Sequence, residues 1–243
     1  MVFLHCTAIT PSHVCFRDHL TFHFDLLFPS LMVRYITQKE AIAIDEALLE
    51  TGYDINSLIE VAGLCAFDVI TAILKEREDG IHDILVVCGP GNNGSDGLVI
   101  ARCLKLSGYN VTVFYKRLKH QNLVNIAKNV GVAFTTDWPK DVHRYGCIID
   151  AMFGFSFKPP LREPFSSIVE CISEHSNVLS IDVPSGYEID NEDAKYSFVP
   201  RHVVCFVAPK VCTKMCRSIF ITRCFVPRYI YDDDNDYSRF KRV

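Results

Sequence analysis

No two cysteines in this chain are separated by two residues, although it carries 11 of them between Cys6 and Cys224. That absence removes the spacing by which small zinc modules present thiolates, and the scatter does not describe a dense disulfide framework. The cysteines are therefore read as mostly buried thiols in a reducing compartment. Basic excess is missing too: 25 Lys and Arg against 29 Asp and Glu give a net charge of -4. A clustered basic face, which neutralising nucleic-acid phosphates requires, is not expected, so no nucleic-acid partner is predicted. No run approaches the roughly 18 apolar residues that a bilayer crossing takes, so the chain is read as soluble with no membrane partner. Internal repeats and low-complexity linkers are also lacking. What remains is 243 residues of 49% hydrophobic content, enough for one sizeable α/β domain and too few for two comfortable ones.

The first 31 residues stand apart. They mix aromatic, His and Cys residues without periodicity and set Asp18 and Asp25 against Arg17, which is neither the Arg-rich, acid-poor composition of a transit peptide nor the charged start and apolar core of a signal peptide. The segment is read as lying before a later natural start at Met32 or as a disordered leader, with a weak organelle-targeting leader as the alternative. From Thr37 the pattern becomes regular. Thr37 and Glu40 have capping-box spacing, and Ile42, Ile44, Ala47 and Leu48 predict a helix to about Glu50. The stretch from Asn56 to Glu78 is apolar over a wide arc and predicts a largely buried helix. Five short apolar runs then follow at 83–88, 110–115, 146–151, 177–182 and 202–209, with helix candidates at 96–107, 121–130 and 164–175 between them. Continuous apolar strands alternating with helices predict a mostly parallel sheet covered on both faces. One domain is expected over 32–230, followed by a charged, solvated tail at 231–243.

The first of those runs leads into "CGPGNNGSDG", where Gly89, Gly91 and Gly94 fit G-x-G-x-x-G between a strand and a helix. Parallel α/β sheets place their phosphate-binding turns there, because ligands gather beyond the C-terminal ends of strands. A Walker loop is disfavoured, since Ser95 and Asp96 stand where Lys and Ser or Thr belong. Asp150 and Asp182 each end a later strand, which puts both carboxylates on the rim that carries the glycine turn. The loops that follow add Ser185, an aromatic wall of Phe153, Phe155 and Phe157, and the cations Lys158 and Arg162. Asn93, Asp150 and Ser185 are hard oxygen donors, suited to an alkali or alkaline-earth cation. Lys116 and Arg117, just past the second strand, stay unassigned between a solvated pair and contact with a phosphorylated ribose.

"CGPGNNGSDG", "DAMFGFSFKPPLREPF", "IDVPSG" and "APK", in that order, resemble the NAD(P)HX epimerases, the family of the YjeF N-terminal domain, over roughly residues 33–227. The resemblance implies a Rossmann-like three-layer α/β/α sandwich and an isomerase that interconverts the R and S forms of hydrated NADH and NADPH. It implies substrate contacts from Asn92, Asn93, Gly94, Ser95 and Asp96, from Gly154, Phe155, Ser156, Phe157, Lys158, Pro159 and Pro160, and from Asp182. It further implies one K+ per subunit on Asn93, Asp150 and Ser185, a homodimer, functional pairing with an NAD(P)HX dehydratase, and a cytoplasmic or mitochondrial location. Asp182 is the ionisable rim group left once Asp150 is given to the ion, so it is the expected proton-transfer residue. Ser95 stands where the family usually has Gly, and its side chain is expected to crowd the phosphate approach or to need a shifted backbone. Tyr187 replaces a common Trp, and "SIFITRCFVP" replaces the family's usual stretch near the end of the domain. Related domains also serve as non-catalytic dimerisation scaffolds, which is the competing expectation. A nicotinamide-dependent dehydrogenase, suggested by the glycines alone, lacks the separate substrate domain it would need.

Overall fold

A computed structural model describes residues 33–76, 80–116, 120–193, 198–222, 225–232 and 240–243. The leader, Arg117 and most of the charged tail lie outside the described residues.

The order of elements is α1 (Gln38–Glu50), α2 (Ile55–Lys75), β1 (Asp83–Cys88), α3 (Asn92–Leu106), β2 (Asn110–Tyr115), α4 (Gln121–Asn129), β3 (Ala133–Thr135), β4 (Cys147–Ala151), α5 (Phe165–Ser173), β5 (Val178–Ile181), β6 (His202–Phe206), β7 (Ile219–Thr222) and β8 (Phe240–Arg242). The sheet runs β3-β2-β1-β4-β5-β6-β7-β8. Every neighbouring pair up to β7 is parallel, and β8 pairs antiparallel with β7. The expected mostly parallel sheet is therefore present. β1, β4 and β5 are buried along nearly their whole lengths, as strands covered on both sides must be. Successive residues face opposite layers. Ile84, Val86 and Cys88 join α2, α3 and α4 in one apolar cluster, while Leu85 and Val87 join Ile168 and Ile172 of α5 in another.

Helix α2 corrects the reading that no segment reaches membrane-span length. Its 21 residues are long and apolar enough by composition alone. They are placed inside the domain instead, with Leu58, Ile59, Ala66, Val69, Ile70 and Ile73 among the buried positions. Arg102 of α3 grips Glu60 of α2 through two hydrogen bonds of 3.0 and 2.7 Å.

Other departures are local. Thr37 caps α1 through the expected reciprocal pair with Glu40. Helix α3 begins at Asn92, four residues before the expected start, so Asn92 to Asp96 form its first turns rather than a loop. β3 and β7 were not expected as strands, and β8 lies within the segment read as a solvated tail, with Val243 N donating to the Ile219 carbonyl at 2.9 Å. Seven of the described cysteines are free thiols and six of those are buried, as expected. Cys65 departs from that reading, being disulfide-bonded.

Candidate active site

The chain leaves β1 toward one edge of the sheet and returns to place β4 on the other side of β1. Such a reversal opens a crevice at the C-terminal strand ends. Here it is a cavity of about 920 Å³. The turn after β1 is built for close approach. A Cβ on Gly89 would stand 1.7 Å from the Met152 carbonyl oxygen, and one on Gly94 would stand 2.0 Å from that of Gly89, so neither position admits a side chain. This brings the start of α3 against the loop after β4.

Asn92, Asn93 and Asp96 line the cavity from α3. Gly154, Phe155, Ser156, Phe157, Lys158 and Pro160 line it from the β4–α5 loop, and Phe153 and Arg162 extend that wall. Phe153 packs against Phe157 and Phe165, with ring centres 5.1 and 5.0 Å away. Lys116 also borders the space. Gly94, Ser95 and Pro159 are not on the wall, in contrast to the expected contact set. Ser95 is fully buried and its hydroxyl points back to the Gly91 carbonyl at 3.4 Å, so it does not crowd the crevice and needs no unusual backbone. Tyr187 is likewise buried, and its hydroxyl donates to the Phe198 carbonyl at 2.6 Å.

Asp182 lies just past β5 and lines the cavity. Its φ is 68°, a left-handed conformation that is costly for a residue with a side chain. One carboxylate oxygen accepts from the Phe155 amide at 2.8 Å, and the other is ion-paired with Lys210. The Lys210 ammonium also donates to the Phe206 carbonyl at 3.0 Å. Both partners are 2% exposed. Val207, the residue after that acceptor and also in the wall, has φ 65°. Strain at two residues around one buried ion pair marks a site that its surroundings hold in place.

Sequence reasoning missed Lys210, which it carried as part of "APK" without a role, and Asp45 of α1. Both line the cavity. Burial pushes the Asp45 carboxyl up to about 6, the Asp182 charge adds to the rise, and Lys210 opposes it. Asp96 is raised well above the usual carboxylate range, first by burial and then by the charges of Asp182 and Asp45.

Asp150 and Ser185 meet behind the wall. The Asp150 carboxylate is fully buried and accepts from Ser185 Oγ at 2.5 Å, Ser185 N at 2.9 Å, Ser180 Oγ at 2.8 Å and Met152 N at 3.2 Å. Burial raises its pKa, and those hydrogen bonds oppose the rise. Asn93 donates to the Ile181 carbonyl at 3.2 Å, yet its own side-chain oxygen is buried with no hydrogen-bond partner. The buried carboxylate of β4 and the orphaned amide oxygen at the start of α3 are hard oxygen donors, of the kind suited to an alkali or alkaline-earth cation.

The family described as YjeF-related protein N-terminus matches residues 55–212. A protein of Anopheles darlingi named NAD(P)H-hydrate epimerase is 40% identical over 193 residues, spanning 75% of this chain and 83% of that protein. A Dictyostelium discoideum protein of the same name is 37% identical over 194 residues, spanning 75% and 81%. The crystal structure of yeast ynu0 superposes with a TM-score of 0.78 at 30% identity, over 87% of this chain and 100% of that one.

Proposed function

The chain belongs to the YjeF-related protein N-terminus family, and from that premise we propose that it is an NAD(P)H-hydrate epimerase, interconverting the R and S forms of hydrated NADH and NADPH. The observation that carries this reading is the convergence of the α3 start, the aromatic loop after β4 and the buried Asp182–Lys210 pair on one cavity of about 920 Å³. That volume lies at the upper end of the range for ligand pockets.

Inverting the hydrated carbon requires its bond to oxygen to break and form again, or the ring to open. Either route needs a proton acceptor and a donor at the ring. Asp182 takes the acceptor role, with Lys210 and the Phe155 amide holding its carboxylate in one orientation. The start of α3 presents backbone amides and the positive end of a helix dipole to the pyrophosphate. Phe153, Phe155 and Phe157 give the nicotinamide ring an apolar surface. Asn93, Asp150 and Ser185 would hold one potassium ion per subunit, which would supply a fixed positive charge at the strand ends.

The enzyme works as a homodimer in this reading, supported by Ile42 and Leu49 of α1 and Leu64 of α2, which are 41%, 42% and 45% exposed. Its product feeds a separate dehydratase specific for the S form. Seven free thiols among the described residues, against the one disulfide-bonded Cys65, support a reducing location, cytoplasmic or mitochondrial.

Mixing the protein with resolved hydrated NADPH epimers, with and without potassium, and following equilibration by chromatography tests the reading. Acceleration is expected. None under either condition returns the chain to the scaffold alternative.

A further inference from the structure

Three carboxylates share the cavity wall: Asp45 from α1, Asp96 from α3 and Asp182 from the end of β5. Lys210 is ion-paired with the last of them. Resting on the epimerase reading above, we propose that Asp45 is the second proton-transfer residue of the site. It donates to the hydroxyl that leaves the reduced ring, while Asp182 accepts from the water that returns.

The three acids differ in access. Asp96 is 7% exposed and Asp182 2%, whereas Asp45 is half-buried, open to the cavity and to exchange with bulk water. Asp182 already has a donor on each oxygen, which suits it to fixed orientation more than to delivering a proton. Asp45 has a wall of its own. Ile44 beside it and Ala41 and Leu48, one turn away on α1, line the same space and limit its hydration, which favours the protonated carboxyl. The helix is also fixed where it matters. Gln38 Nε2 donates to the Phe155 and Phe157 carbonyls at 2.6 and 3.2 Å. Just before α1, Ile36 N donates to the Pro209 carbonyl at 2.9 Å and its own carbonyl accepts from Val211 N at 3.1 Å. α1 is thus bound both to the loop under the substrate and to the segment that carries Lys210.

The step balances. The carbon–oxygen bond breaks with its electron pair on oxygen, which takes the Asp45 proton and leaves as water. The ring nitrogen lone pair fills the vacated carbon orbital, giving an iminium. Water then adds at the other face and yields a proton to Asp182. One proton is lost at Asp45 and one gained at Asp182; Asp45 recovers its proton from solvent and Asp182 returns its own to water in the cavity before the next turnover. Inversion follows because donor and acceptor reach the ring from different walls.

The charged groups that face Asp45 are Asp96 of α3, Asp182, and Lys210, with Lys116, Lys158, Arg162 and Glu163 around the rest of the lining. Since the acid form is the working form and burial holds this carboxyl to about 6, turnover should fall as pH rises through that value. The test is the pH dependence of kcat and KM, less the uncatalysed rate, for wild type, Asp45→Asn and Asp45→Glu, alongside thermal unfolding. Expected are a loss in kcat of about 100-fold or more for Asp45→Asn, KM within about threefold, no alkaline limb near 6, no fall in Tm, and partial rescue with a restored limb in Asp45→Glu. If wild type epimerises the substrate while Asp45→Asn keeps both its rate and its limb, the proposal fails alone. A matching fall in Tm without rescue by Glu also overturns it. Wild type without activity removes the epimerase reading as well.

Discussion

At the scale of single residues, the Asp182–Lys210 pair is the ion pair most fully removed from solvent among those described. Each side chain is almost wholly removed from solvent, so each depends on the other for its charge to be tolerated. Asp182→Asn keeps a residue that accepts left-handed backbone but strands the ammonium. A loss of about 3 kcal/mol is expected in denaturant unfolding. Adding Lys210→Met should recover most of it, because no unmatched charge then remains. A double variant as unstable as the single one would show that packing, not charge, holds this corner. The same comparison separates lost chemistry from lost fold when Asp182→Asn is assayed for epimerisation.

At the scale of elements, α1 is the most instructive. Its start rests on the capping box of Thr37 and Glu40, so Thr37→Ala should cost about 1 kcal/mol and Thr37→Ser close to nothing, read as shifts in Tm. That box was legible in the sequence because it depends on residues three apart. The strands read as apolar runs were legible for a similar reason, since burial on both faces leaves a continuous signature in β1, β4 and β5. β3 is too short, at three residues, to carry a pattern, and β8 hides in a charged stretch because an edge strand needs no apolar face. The first turns of α3 were read as loop because glycine and asparagine disfavour helices locally. Tertiary packing overrides that preference, as the contacts at Gly89 and Gly94 require. Asp45 escaped notice because a carboxylate in an amphipathic helix looks like its solvent face. Only the fold shows that α1 turns that residue toward the rim.

At the scale of the whole molecule, the proposed donor set of Asn93, Asp150 and Ser185 spans α3, β4 and the segment after β5, so an ion bound there would add to global stability. At potassium 100 times its Kd the gain is about 2.7 kcal/mol, a rise in Tm of roughly 5–10 °C for a domain of this size. Scanning calorimetry in potassium against choline at equal ionic strength should show it, and Asn93→Ala should remove it. Equal Tm values in wild type would mean that the orphaned Asn93 oxygen serves something else. The two bonds from the Gln38 amide reach across this same architecture, from α1 to the aromatic loop. Any opening of the loop must break them or carry the first turn of the helix along. Admission of the nucleotide and alignment of Asp45 are thereby one mechanical event, and a bound substrate should slow backbone hydrogen exchange in both segments in step.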